Sequence, residues 1–133
     1  MHKIIAVTGP GNSGKTGSIR QFLADRGIVY MRRGDITIVI PIRKAGRTLV
    51  VGVASGGDTG AVAERNIRFL TARNCDIIIC AAKSKGPTLR SALVSGGSVM
   101  PVVIVTNKIS RPSQATIVDK NRQIADLIWA EIP

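Results

Sequence analysis

Short apolar runs and stretches of helical periodicity alternate along this chain, and each change of period predicts an element. Lys3–Thr8 is almost continuously apolar, as a strand buried on both faces requires. A glycine-rich turn follows, then a helical stretch from about Gly14 to Arg26 with Ile19, Phe22 and Leu23 on one face and Gly27 as its stop. Ile28–Met31 reads as a brief strand or a connector. Asp35–Ile42 and Arg47–Ala54 are β-rich, and the four residues Arg43-Lys44-Ala45-Gly46 between them predict an antiparallel hairpin. The loop Ser55–Gly60 leads into a helix whose apolar set is Val62, Ile67, Phe69 and Leu70. Asp76–Ala81 reads as a buried strand, Thr88–Val94 as a short helix and Pro101–Val105 as a further strand. Ser113–Trp129 closes the pattern as a helix aligning Ile117, Ile124 and Ile128. Strands alternating with helices predict an α/β fold in three layers: a mostly parallel sheet with one antiparallel hairpin and helices on both faces.

Composition narrows the classes. A chain of 133 residues builds one domain, 1–133, with a real core. Its apolar share is 44% but its aromatic share only 3%, so Val, Ile, Leu and Ala must fill that core. This excludes a disordered chain. Apolar runs such as Ile36–Ile42 and Val99–Val105 are far too short to cross a bilayer. The opening residues show no basic, apolar and small-residue succession of a leader, and Cys75 and Cys80 make neither a disulfide framework nor a paired metal motif. A reduced, cytoplasmic setting is expected. The formal charge of +11 favours an anionic partner without naming it.

The glycine-rich turn carries the chemistry. Gly9-Pro-Gly-Asn-Ser-Gly-Lys-Thr16 fits G-x-x-x-x-G-K-[ST] at every fixed position, between a predicted buried strand and a predicted helix. Backbone amides that converge on phosphate oxygens leave no room for side chains at Gly9, Gly11 and Gly14, and Asn12, Ser13 and Gly17 complete the turn and the first helical residues. The helix N-terminus adds unpaired N–H groups and a partial positive charge. Lys15 is suited to the β- and γ-phosphates, and the Thr16 hydroxyl to a magnesium ion. This segment resembles the Walker A motif of the P-loop NTPase superfamily. The resemblance implies a three-layer P-loop NTPase fold, a nucleoside triphosphate (ATP or GTP) and Mg2+.

Chemistry in an open α/β sheet gathers at the carboxyl ends of the strands, which sorts the acids. Asp76 opens its strand at the opposite edge, and Asp25, Asp119, Asp126 and Glu131 lie along helices. Asp58 follows the carboxyl end of the second hairpin strand. It is the candidate to bind magnesium or orient a nucleophile, with capping of the helix near Gly60 as the competing role. Asp35 is a weaker candidate base. The acid arrives four residues after Ala54, whereas P-loop families usually place it at the strand end.

The hairpin and Val102-Val-Ile-Val-Thr-Asn-Lys108 are similar to small GTPases, where Asn-Lys-x-Asp recognises guanine. Asn107 and Lys108 match, but Ser110 stands where the Asp is expected, and Ala54 stands where the γ-phosphate-sensing turn has its Asp. The topology leans toward that family and the chemistry away from it, so ATP is favoured over GTP. Lys83, Lys85 and Arg90 follow a predicted strand end, where a phosphate acceptor or other anionic substrate would sit, and Arg90 is a candidate catalytic cation. An ATP-dependent hydrolase or small-kinase-like phosphotransferase is the leading expectation. A GTPase-like switch with little turnover and a nucleic-acid-associated ATPase are the alternatives. The clusters Arg32-Arg33 and Arg43-Lys44-x-x-Arg47 could contact nucleic acid, but no interleaved aromatic residue or binding motif accompanies them. His2 reads as a surface residue. The cysteines read as small hydrophobes on opposite faces of one strand, and Trp129 as cover for the core edge or an oligomer contact.

Overall fold

The computed structural model describes residues 3–8, 15–28, 36–56, 60–82, 100–105 and 114–133. Its elements are β1 (Lys3–Thr8), α1 (Lys15–Asp25), β2 (Thr37–Lys44), β3 (Arg47–Ala54), α2 (Gly60–Thr71), β4 (Ile77–Ala82), β5 (Met100–Val105) and α3 (Gln114–Glu131). The predicted Thr88–Val94 helix and the Ile28–Met31 strand lie wholly or largely outside the described residues.

Four strands run side by side in the order β1-β4-β3-β2, with β2–β3 the one antiparallel pair among them, and β5 adds a parallel strand on the other side of β1. Both edge strands carry a proline, Pro41 in β2 and Pro101 in β5. Proline lacks the N–H that an interior strand needs for pairing, so both residues suit a sheet that stops there.

Alternation along the strands divides the core in two. Ile5, Val7, Val51, Val53, Ile77, Ile79 and Ala81 pack with α1 and α3 through Ile19, Phe22, Leu23, Ile124 and Ile128. Ile4, Ala6, Ala54, Ile78 and Cys80 pack on the other face with Ile67 and Leu70 of α2. Helices therefore cover both faces, α1 and α3 on one and α2 on the other. Gly52 makes the α2 contact possible, because a Cβ there would sit 2.8 Å from Cys75 Sγ and 2.9 Å from Leu70 Cδ2.

Several expectations need correction. The hairpin turn is two residues rather than four: Ala45 and Gly46 both take positive φ (52° and 77°), as a type I′ connection demands. Cys75 precedes β4 rather than lying in it, so both cysteines pack against the α2 side. Phe69 and Ile117 are exposed. The Arg73 guanidinium lies 3.4 Å from the Phe69 ring centroid, and Ile117 lies a full turn N-terminal to Asn121, which meets Gly17 of α1.

The helix ends are capped by identifiable groups. At the end of α1 the Ile28 N–H donates to Leu23 O and the Gly27 N–H to Ala24 O, with Gly27 left-handed at φ 80°. This is the Schellman arrangement. Helix α3 has no basic residue in its last turn. Lys44 Nζ instead donates to the carbonyls of Trp129 and Ile132, both at 2.6 Å, and Lys3 Nζ to that of Glu131 at 2.8 Å. Two cations from the sheet thus neutralise the negative end of the helix. Trp129 is half-buried on the α1/α3 side of the core, with the Arg26 guanidinium 3.9 Å and Lys44 Nζ 4.6 Å from its ring centroid.

Ala45 in a left-handed conformation carries a steric cost that Asn tolerates better. Ala45→Asn should raise unfolding stability by about 0.5–1 kcal/mol in urea melts, without changing the m-value. Burial pushes the Cys80 thiol up to about 12 from an ordinary 9.0 and also raises that of Cys75. The unfolded chain ionises these thiols first, so the stability they contribute is intact below pH 9.0 and is lost as pH rises toward about 12. Across pH 9 to 10.5, stability should fall more steeply in the native protein than in Cys80→Ala, by about 1.4 kcal/mol per pH unit. Equal slopes would show that the thiol is not held neutral.

Candidate functional site

Register defines one row of strand ends. Thr8, the last residue of β1, pairs with Ala82, the last of β4, and with Val105, the last of β5. The segments beginning at Gly9, Lys83 and Thr106 therefore leave three adjacent parallel strands at one level. Strand β3 stops two residues lower, with Ala54 opposite Cys80, and β4 separates it from β1. Helix α1 leaves β1 on one face of the sheet, whereas α2 follows β3 on the other.

The candidate residues distribute along this edge. Lys15, Thr16 and Gly17 are the first three residues of α1, and the buried Thr8 ends β1. Gly9, Gly11, Asn12, Ser13 and Gly14 fill the connection between them and lie outside the described residues, as do Asp58, Lys83, Lys85, Arg90, Asn107 and Lys108. Asp35 also lies outside them. Among the described residues no group of three or more His, Cys, Asp or Glu could hold a metal ion. Magnesium bound largely through phosphates and water requires no such group.

Gly17 has a packing role. A Cβ on it would meet Asn121 Nδ2 of α3 at 2.9 Å, and the neighbouring Ser18 hydroxyl hydrogen-bonds Asn121 Oδ1 at 3.3 Å. The start of α1 is thereby locked against α3. Lys120, next to Asn121, has its ammonium held below the usual lysine range by desolvation.

The stem of the Asp58 loop is fixed at two points. Ser55 N–H donates to Ile36 O at 2.8 Å, and Ile36 N–H donates to Ser55 Oγ at 2.6 Å. Asn66 of α2 donates through Nδ2 to Gly56 O at 2.9 Å. Sequence reasoning missed Asn66 and Asn121, although asparagine inside a helix signals that a side chain is needed elsewhere. Asp76 is structural as expected of its edge: its carboxylate accepts from Val50 N–H at 2.8 Å, and its own N–H donates to Val50 O.

No protein-family model, curated protein or solved structure matches this chain. No helix among the described residues is long and apolar enough to cross a membrane.

The Gly17–Asn121 contact makes a measurable prediction. In an Asn121→Ala background, Gly17→Ala should stabilise the protein by about 0.5 kcal/mol through helix propensity. In the native background the same change displaces the Asn121 amide and its Ser18 bond. The double-mutant cycle should therefore show a coupling of about 1 kcal/mol. Additivity within error would mean that the two helices do not meet here.

Proposed function

We propose that this chain is a P-loop protein that binds a nucleoside triphosphate, ATP in preference to GTP, with magnesium, and hydrolyses it or transfers its terminal phosphoryl group. The observation that carries the proposal is the position of Gly9–Thr16. The segment joins a buried strand, paired in parallel on both sides, to a helix opening at Lys15 on the carboxyl-terminal edge of the sheet. The mixed sheet with helices on both faces is, in this proposal, a three-layer P-loop NTPase fold.

Each residue then has a role. Amides of the Gly9–Gly14 turn and the α1 N-terminus hold phosphate oxygens, and Lys15 adds a point charge to the β- and γ-groups. Thr16 offers its hydroxyl to the ion. An ion held there by Thr16 and Asp58 would supply charge neutralisation to the phosphates. The segment that carries Lys83, Lys85 and Arg90 follows Ala82, which pairs with Thr8, and this supports them as the cations that hold an anionic acceptor. Asn107 and Lys108 follow Val105, which pairs with Thr8 on its other side, and are assigned here to the base.

The strand order separates the strand that leads to Asp58, expected to be central, from β1. With β4 interposed, the end of β3 lies about 10 Å across and about 7 Å below the end of β1, a diagonal of about 12 Å. In this proposal Asp58, beyond the anchored Ser55 and Gly56, is the acid that assists at the ion beside Thr16. Anchoring of Ser55 and Gly56 limits the search the loop must make.

Titration with fluorescent ATP and GTP, with and without magnesium, followed by turnover assays, tests this assignment. Lys15→Ala should weaken magnesium–ATP binding about 100-fold, the loss of a charge-assisted contact worth about 2.7 kcal/mol. Asp58→Asn should abolish the magnesium dependence of binding and the turnover while leaving magnesium-free binding intact. Unchanged binding in Lys15→Ala sinks the proposal. A preference for GTP would instead favour the switch-like alternative.

A further inference from the structure

Among the described residues both sides of the sheet carry more cations than acids, but the two sides differ in the kind of cation. Four acids, Asp25, Asp119, Asp126 and Glu131, belong to α1 and α3, where they share one face with lysines and arginines mixed: Lys3, Lys44 and Lys120 beside Arg20, Arg26, Arg47 and Arg122. On the α2 side the described residues carry Arg65, Arg68 and Arg73, all exposed. Strand alternation adds Arg43. In β2, Ile38, Ile40 and Ile42 turn toward the α1/α3 core, so Thr37, Val39, Pro41 and Arg43 turn to the α2 side, and all four are exposed. Against these stand Glu64 in α2 and Asp76, whose carboxylate accepts the Val50 N–H.

Three features point to one kind of partner. Every described cation on this side is arginine, whereas Lys3, Lys44 and Lys120 contribute elsewhere, two of them at the end of α3. Guanidinium groups bind phosphate bidentately and stack on flat rings, which an ammonium does not. Phe69 is 41% exposed at the centre of the arginine set, and Arg73 lies across its ring at 3.4 Å. On the same side of the sheet, Val39, 38% exposed, and the exposed Pro41 present apolar surface.

We infer that the α2 side binds single-stranded nucleic acid. Arg43, Arg65 and Arg68 hold the phosphate backbone, and Phe69 with Arg73 forms a stacking platform for a base. A membrane surface would call for a larger apolar patch, and a duplex would leave the exposed ring without a role. The inference is independent of the nucleotide proposal, because no residue of Gly9–Thr16 belongs to this surface.

Fluorescence anisotropy with a labelled dT20 oligonucleotide, without added nucleotide or magnesium, tests it. Native protein should bind with affinity that falls steeply between 50 and 200 mM salt, conditions under which phosphate contacts are strongly attenuated (about tenfold or more). Arg65→Gln with Arg68→Gln should weaken binding at least about tenfold and lower the magnitude of the salt slope by about 1.4, two contacts at about 0.7 each. Phe69→Ala should weaken binding about tenfold with the slope unchanged, the loss of one stacked base. Arg122→Gln, an exposed change on α3, should bind like the native protein, and matching circular dichroism melts show that all variants fold. Failure to bind dT20, or equal losses from Arg122→Gln and the α2 pair, overturns the inference. So does binding to vesicles containing phosphatidylserine with no binding to dT20, and so does heparin binding as tight as dT20 and indifferent to Phe69→Ala.

Discussion

The in-register parallel pairing of β1 with both β4 and β5 is the constraint from which the rest of this molecule follows. A strand paired on both sides has no water to satisfy its backbone, and a strand with helices above and below must be apolar at every position. Ile4, Ile5, Ala6 and Val7 meet that demand, and so do Ile77 to Ala81 beside them. Parallel neighbours also need crossover connections, which puts helices on the faces of the sheet. Because Thr8 is level with Ala82 and Val105, the three following segments emerge together at one edge. The same register that buries the core therefore concentrates loop chemistry in one place.

Close approach of the layers depends on small or polar residues at a few points. Gly52 admits Leu70 and Cys75 onto β3, and Gly17 admits Asn121 against α1. Polar groups drawn into these contacts all find partners: among the described residues, no buried side-chain nitrogen or oxygen lacks a hydrogen bond. Charge is partitioned by the same packing. Lys3 and Lys44 are held at the end of α3, where carbonyl oxygens converge, and Arg26 lies on Trp129. Part of the +11 is thus structural.

Much of this was legible in the sequence because burial on two faces leaves so plain a mark. The runs at Lys3–Thr8 and Arg47–Ala54 correspond to strands with the same bounds. What escaped was long-range or stereochemical. Nothing local in Ala45 announces a left-handed residue, so the turn read as four residues. Phe69 falls near the apolar arc of α2, yet whether a side chain at the rim of that arc is covered depends on how far the sheet extends beneath it. Strand order, too, is invisible to periodicity: β4 between β1 and β3 is set by tertiary pairing. Pro41 and Pro101 are the exception, since a proline inside a strand signal marks an edge, and both strands that carry one lie at the edges.

The two proposals meet on one helix. Asn66 of α2 holds Gly56 in the segment that leads to Asp58, one residue after Arg65 and two before Arg68. A helix is rigid over this distance, so a displacement of the Ser55–Asp58 segment toward a bound ion would be carried to the arginines as a movement of α2 as a body. The resistance to such a movement comes from Ile67 and Leu70, which are fully buried against β3 and β4, and from the close seat of Leu70 over Gly52. Packing of that density favours discrete positions over gradual drift. Any movement of α2 would therefore require a second position of Leu70 over the Gly52 seat.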